Sequence, residues 1–350
     1  MPLIALGKKY LKYLFLKAQL LLGFFFYLSC SDSFVEYSLS GVTKGTSFNI
    51  KINESHKIDQ IKQIEYSIDS ILVSLNRQMS TWIEDSEISF FNQSRSGSPF
   101  RISDEFYHVL KKGKLINNQT SGAFDYTVFP LAQIWGFGPK GKNSSKSPDV
   151  NEIKNVLEYI GTDKIKLDYP YITKKHPKVQ IDLNAIAKGY AVDIIHDWLI
   201  HKNYKNIYVE IGGELRCSGV NKTGATWIIG IDTPINNIVS SKNIYSKTKL
   251  KNMSLATSGN YRNFLEKNGK KINHTIDPRN GISVESNILS VSVKARSCLV
   301  ADAWATALMI LPYDEGLKVA TEAGGLEVLW ILAEGKEGFS QFSTKGFYRK

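Results

Sequence analysis

The chain has 350 residues, 43% apolar and 22% charged, an ordinary globular composition that excludes a low-complexity or intrinsically disordered chain. Its 44 Lys and Arg against 33 Asp and Glu give a net charge of +11. The cations are spread thinly from Lys51 to Lys350 and crowd only near the N-terminus, which argues against nucleic acid as a partner and leaves a phosphorylated substrate open.

Lys8, Lys9, Lys12 and Lys17 precede an apolar run from Leu20 to Leu28. A basic segment before a short apolar one is the pattern of a secretory signal peptide, and the run is too short for a comfortable membrane span. It ends in Tyr27-Leu28-Ser29-Cys30, which resembles a bacterial lipobox, with Tyr27 where an aliphatic residue is usual. Residues 1–29 therefore read as signal peptide and Cys30 as the lipidated first residue of a domain over 30–350. An uncleaved N-terminal anchor is the other reading. The expected location is the bacterial cell envelope, anchored to a membrane by lipid and facing the periplasm. Cys217 and Cys298 remain, as one disulfide or as two separate buried thiols.

Residues 31–53 alternate apolar and polar with breaks at Gly41 and Gly45, which predicts a hairpin with its second strand over 46–52. Ile58, Ile61, Ile64, Ile68, Ile71, Leu72 and Leu75 recur at three- and four-residue steps, the stripe of a core-facing helix. A second helix is predicted over 104–117. A third opens at Ser147-Pro148-Asp149 and ends at Gly161, after a loop over 136–147 rich in Gly, Lys, Ser and Pro. Strands near 165–167 and 179–183 precede a helix over 184–202. Further strands are predicted at 206–211, 214–220, 226–232, 255–258 and 288–294, then helices over 298–310 and 314–323 and strands at 327–333 and 339–344. Helices and strands mix without regular βαβ alternation and no linker interrupts 34–350, so the class is α+β in one domain.

Four stretches carry chemical potential. Between Val179 and Ala191 a strand ends at Asp182 and a helix starts, with Lys188 and Gly189 near its opening. Free N–H groups, the helix dipole and a lysine all favour phosphate there, and Gly189 lets another chain or a ligand come close. An ordinary junction with an exposed lysine accounts for the same residues. Asp302 and Thr306 share a helix face and offer two hard oxygens, which suit Mg²⁺ and not zinc; a solvent-facing Asp and a Thr bonded to its own backbone are the plainer account. His274 leads into the turn sequence Asp277-Pro278-Arg279-Asn280-Gly281, where an imidazole either takes a proton near neutral pH or only packs. Aromatics beside glycines at 79–82, 122–127, 134–138 and 210–214 suit a flat ring held against backbone, or an aromatic core.

Taken in order over residues 40–335, these stretches resemble the FAD:protein FMN transferase family, also known as ApbE. The motifs are Met79-Ser80-Thr81-Trp82 with residues 85–89, Gly122-Ala123-Phe124-Asp125, Trp135-Gly136-Phe137-Gly138-Pro139, residues 181–191, residues 210–214, residues 254–263, His274-Thr275-Ile276-Asp277-Pro278, and residues 301–308. The resemblance implies an α+β, T-fold-like domain, with FAD as substrate and Mg²⁺ as cofactor. It implies that Trp82 lies beside the flavin and that Ala123, Phe124, Asp125, Asp182, Lys188 and Ile276 contact FAD. It also implies that Asp302 and Thr306 bind the metal with the Ala185 carbonyl, and that His274 is the acid/base. Lys44 departs from the family, which usually has Met there. The implied reaction moves FMN from FAD to a Thr or Ser hydroxyl through a phosphoester, releasing AMP. The acceptors are exported proteins with a Ser/Thr-Gly-Ala-Ser/Thr motif, subunits of quinone reductases or related electron-transport complexes. Water as acceptor would make the chain an FAD hydrolase. A non-catalytic flavin-binding lipoprotein is the rival class, to be told apart by whether Mg²⁺ makes FAD disappear. The chain's own Thr223-Gly224-Ala225-Thr226 matches the acceptor pattern, and a tight turn before Trp227 explains it equally.

Overall fold

In the computed structural model the described residues are 34–43, 45–139, 147–234, 244–260, 264–267, 270–335 and 338–349. The signal segment, Cys30 and Lys44 lie outside them, as does most of the loop predicted over 136–147.

Strands β1 (Val35–Thr43) and β2 (Thr46–Glu54) form the expected hairpin, turning through Gly45 at a φ of +72° that favours glycine. Helix α1 (Ile61–Met79) buries Ile64, Ile68, Leu72, Leu75 and Met79, the apolar stripe seen in the sequence. Next come α2 (Glu87–Gln93), β3 (Phe100–Arg101), α3 (Asp104–Gln119), α4 (Phe129–Trp135) and α5 (Val150–Leu157). Then follow the hairpin β4 (Ile165–Asp168) and β5 (Tyr171–Lys174), helix α6 (Ala187–His201), and strands β6 (Asn206–Ile211) and β7 (Glu214–Ser218). Strands β8 (Trp227–Asp232), β9 (Ile244–Leu250), β10 (Met253–Gly259), β11 (Phe264–Lys267), β12 (Lys270–Asn273) and β13 (Ile288–Ala295) lead to helices α7 (Cys298–Ile310) and α8 (Tyr313–Ala323), and β14 (Glu327–Glu334) and β15 (Gly338–Ser343) close the order.

The main sheet has eight strands in the order β1-β2-β6-β7-β10-β13-β14-β15, each antiparallel to its neighbour. Both faces are covered. On one, the strands meet α1, α6 and α7 in the large core containing Ile50, Val209, Ala256, Val293, Ile195 and Trp304. On the other, Leu215, Cys217, Leu255 and Leu329 meet the β8–β9 hairpin and Phe347. Alternation along β10 divides its residues accordingly, Leu255 facing one layer and Ala256 the other. Cys217 and Cys298 are both free and buried, so the two-thiol reading holds. Among the described residues no helix is long and apolar enough to cross a membrane.

Three predicted boundaries are corrected. Residues 179–183 pair in no sheet; side chains and single carbonyls satisfy their backbone in place of a ladder. Helix α6 begins at Ala187, not 184, because an Asp182–Asn184 turn occupies the junction. Helix α5 ends at Leu157, four residues before Gly161, where Tyr159 and Ile160 donate to the carbonyls three residues back in tight turns. The seven-residue helices α2 and α4 are additions; neither is long enough to print a helical period.

Candidate functional site

The site gathers at one end of the main sheet, where the β1–β2 turn, the β6–β7 turn, the C-terminal end of β10 and the start of α6 converge. Gly212 and Gly213 make the β6–β7 turn at φ of +63° and +107°, a two-residue hairpin that brings Glu214 onto the next strand. Gly212 N–H donates to Ser47 O at 3.0 Å, tying this turn to β2.

Helices α6 and α7 cross in close contact at Gly189. A Cβ there would stand 2.3 Å from Cys298 O and 2.8 Å from Asp302 Cβ, so the partner this glycine admits is α7 and not a ligand. Gly189 N–H, a first-turn donor with no helical acceptor, donates to Asp302 Oδ2 at 2.9 Å. The carboxylate caps α6, where the helix dipole favours negative charge.

Lys188, one residue earlier, points into the same space. Its Nζ lies 3.6 Å from Glu214 Oε1 and 3.9 Å from Asp302 Oδ1, and donates to Asn184 O at 3.3 Å. Burial raises the pKa of both carboxyls against the lowering effect of Lys188. Burial alone would discharge Lys188, but Asp302 and Glu214 outweigh it and raise its pKa. Two acids thus face one lysine in this cluster. Glu214 is only 4% exposed, and its Oε2 has no hydrogen-bond partner.

Thr306, one turn beyond Asp302, sits 3.4 Å from Ser258 Oγ at the end of β10. Ala185 lies in the turn just before α6. The Asp302 carboxylate, the Thr306 hydroxyl and the Ala185 backbone carbonyl are all oxygen donors, the chemistry that fits a hard divalent cation. Among the described residues no three His, Cys, Asp or Glu side chains converge as a metal site, so a soft-metal centre has no counterpart there. Such a set would be one carboxylate plus neutral oxygens, beside the orphaned Glu214 oxygen.

Asp182 is held by a local turn: its Oδ1 accepts from Asn184 N at 2.6 Å and its Oδ2 from Asn184 Nδ2 at 3.1 Å. Burial raises its pKa above the ordinary carboxylate value, against these bonds and Lys188. The segment carrying it is clamped. Asn92 Nδ2 donates to Ile181 O at 2.9 Å, and Ile181 N donates back to Asn92 Oδ1 at 2.7 Å. Asp182 N donates to Tyr126 O at 2.8 Å, and the buried Lys174 Nζ bonds Asn92 O and Val179 O at 2.9 and 3.4 Å. One side-chain amide thus replaces a strand neighbour. Asn92 and Lys174 are not legible in the sequence, since an isolated Asn or Lys carries no local signal of such contact.

Trp82 is 63% exposed on a loop that is otherwise tightly tied. Ser86 Oγ donates to Ser80 O and Ser89 Oγ to Ile83 O, both at 2.7 Å. A large indole presented to solvent from a fixed loop has the shape and exposure to stack on a flat ring. The Ser86 and Glu87 of the neighbouring motif are scaffold: Ser86 caps α2, and Glu87 accepts from Ser103 N and Oγ at 2.6 and 2.8 Å.

Ala123 and Phe124 are buried in the main core, so their side chains are not open to a ligand. Asp125 is also buried, and its oxygens accept from Thr127 N and Oγ1, Thr162 N and Asn117 Nδ2 at 2.6–3.2 Å. It orders the segment beside Asp182. Trp135, from the aromatic motif, donates Nε1–H to Gly281 O at 2.8 Å and packs as scaffold. It braces the turn in which Arg279 grips Asp277 through Nε and Nη2. Ile276 is buried and bridges to Ser283.

His274 follows β12, as the sequence suggested. Its ring is exposed and meets Phe137 edge-on at 6.5 Å. The next residue fixes its position: Thr275 Oγ1 donates to Asn260 Oδ1 at 2.7 Å, two residues beyond Ser258. The histidine segment and the Asp302–Thr306 pair are therefore both tied to the end of β10.

An antiparallel sheet backed by two crossed helices, with a lysine between buried acids at a helix start, defines a mixed α/β protein with a polar site at one end of its sheet. The ApbE family matches residues 44–330, and the chain belongs to it. The FAD:protein FMN transferase of Vibrio cholerae is 36% identical over 318 residues, covering 91% of this chain and 93% of that protein. The FAD:protein FMN transferase of Haemophilus influenzae is 36% identical, covering 91% and 92%. Among solved structures, the flavin transferase ApbE from Vibrio cholerae superposes with a TM-score of 0.81 at 35% identity over 90% of this chain and 98% of that one. The apo Pseudomonas stutzeri flavinyl transferase ApbE gives 0.80 at 32% identity over 90% and 96%.

Proposed function

We propose that the chain is an FAD:protein FMN transferase that moves FMN from FAD to a Thr or Ser hydroxyl of an exported acceptor protein. The observation that carries this reading is Lys188 between Asp302 and Glu214 at the start of α6, with Thr306 on the same face of α7 as Asp302. Lys188 binds the pyrophosphate of the substrate. Trp82 stacks on the isoalloxazine, and the clamped Asp182 together with the backbone of Ala123, Phe124 and Ile276 lines the rest. Asp302, Thr306 and the Ala185 carbonyl would hold Mg²⁺, which would supply positive charge against the phosphates and Lewis-acid polarisation of the phosphorus. His274 takes the proton of the acceptor hydroxyl as its oxygen bonds to the phosphorus of the FMN half. The bond from that phosphorus to the bridging oxygen breaks, and AMP leaves with the bridging oxygen.

The acceptor class is an exported subunit with a Ser/Thr-Gly-Ala-Ser/Thr motif, and the chain itself is held at the envelope by a lipid on Cys30. The test is transfer of FMN to a peptide carrying that motif. His274→Ala should lower turnover by about 10²–10⁴, the usual worth of a general base, with FAD affinity retained. Loss of FAD affinity at unchanged turnover would make His274 a binding residue and overturn its role. FAD consumed equally with and without the peptide would make the chain a hydrolase.

A further inference from the structure

The main sheet has a second end, opposite the site. There Val35 pairs with Glu54 and Asn206 with Asn53, so the chain enters β1 at this end. Phe34 reaches to 4.0 Å of the Cβ position of Gly224, which sets the β7–β8 turn beside that entrance. Gly219 N donates to Asn252 Oδ1 at 3.1 Å, bringing in the β9–β10 turn, and α6 ends here at His201.

Four lysines stand on these connections: Lys202 at the end of α6, Lys205 before β6, Lys222 in the β7–β8 turn and Lys251 in the β9–β10 turn. All are exposed, and no carboxylate among the described residues pairs with them. Of the acids at this end, Asp59 lies 3.6 Å from Lys57 and Asp197 3.0 Å from Arg216, and Glu54 lies 3.7 Å from His56, while Glu65 and Asp69 stand exposed on α1. Lys202, Lys205, Lys222 and Lys251 are thus left without a paired acid among the described residues.

Only residues 31–33 separate Cys30 from Phe34. Four residue steps span at most about 14 Å. An anchor at Cys30 would hold this face close to a bilayer, a little beyond a Debye length of about 8 Å at full stretch and inside it otherwise. The strands, nine residues long in β1, set the site roughly 30 Å farther out.

We propose that the Lys202, Lys205, Lys222 and Lys251 face docks on an anionic lipid surface, so that the enzyme stands on the membrane with its flavin site turned away from it. The proposal rests on the Cys30 anchor reading for the tether and not on the transfer chemistry. The surface is a lipid headgroup layer because the tether delivers this face to it, and attraction of lysines to anionic headgroups needs no shaped pocket.

The test uses the full lipidated chain and flotation with vesicles of phosphatidylcholine alone or mixed with phosphatidylglycerol. Binding to neutral vesicles reads the anchor; the excess on anionic vesicles reads the face. That excess should be roughly a hundredfold or more at low salt, fall as salt rises, and vanish in K202E/K205E/K222E/K251E. FMN transfer in solution should be unchanged in that variant, which shows that it folds. A control with the same charge change elsewhere, K111E/K112E/K154E/K175E, should keep the excess. No anionic preference in the wild type, or equal loss in the control, would overturn the proposal.

Discussion

Asp302 has two roles that one pair of substitutions separates. In Asp302→Ala the Gly189 N–H, buried at the α6–α7 crossing, loses its acceptor at 2.9 Å. An orphaned buried donor costs about 1–3 kcal/mol, and Lys188 loses one of its two acids while keeping Glu214. In Asp302→Asn the side-chain oxygen still accepts from Gly189, so the helix start stays satisfied and the loss should be under about 1 kcal/mol. Both substitutions remove the only carboxylate of the proposed cation set. The expected result is that Asp302→Ala lowers stability in denaturant unfolding while Asp302→Asn hardly does, and that both abolish Mg²⁺-dependent FMN transfer to an acceptor peptide. Wild-type turnover with a wild-type Mg²⁺ dependence in Asp302→Asn would refute the cation assignment. Equal destabilisation by both would refute the capping argument.

Gly189→Ala forces a Cβ against Cys298 O and Asp302 Cβ, atoms that cannot swing aside, so α6 and α7 must separate. A loss of about 1–3 kcal/mol in thermal or denaturant unfolding is expected, with weakened FAD binding as Lys188 leaves Asp302; unchanged stability would contradict the close crossing. Burial raises the pKa of Asp302, the proposed cation ligand, and of Glu214 beside it above the ordinary carboxylate values, and protonation takes the ligand's charge from the one and a neighbouring negative charge from the other. Divalent-cation affinity measured without FAD should therefore fall as pH drops through their raised pKa values and level off above them, beginning its fall at higher pH than for an exposed Asp; a pH-independent affinity would count against the site. Thr223–Thr226 forms a side-chain-closed turn in which Asn221 Oδ1 accepts from Thr223 N, Thr223 Oγ1 and Ala225 N. The intact mass should stay unchanged after incubation with FAD and Mg²⁺; a gain of one FMN, absent in Thr226→Ala, would show self-modification.

Periodicity made the large elements legible. The α1 stripe and the alternation in β1 and β2 arise because each element must bury one face, and burial writes its period into the sequence. Lys188, Asp302, Thr306 and His274 were visible as chemistry-bearing residue types at helix starts, on one helix face and in a turn. Residues 179–183 misled because an apolar run at strand length looks the same whether a ladder or a single Asn satisfies its backbone.

The sequence by itself determined the α+β class, the helix and strand periods, and the set of polar residues available for chemistry, since those follow from local backbone preference and from which side chains can be buried. Only the tertiary structure decided what meets what. It assigned Gly189 to a helix crossing, turned Asp125 and Trp135 inward as braces, made Asn92 a substitute strand, and set Glu214 beside Lys188 and Asp302. It also gathered four lysines, spread over 50 residues of a thinly basic chain, onto one end of the sheet. The physical reason is the same in each case. Contacts between residues far apart in the chain depend on how whole elements pack, and no local pattern records a partner that arrives from another strand or helix.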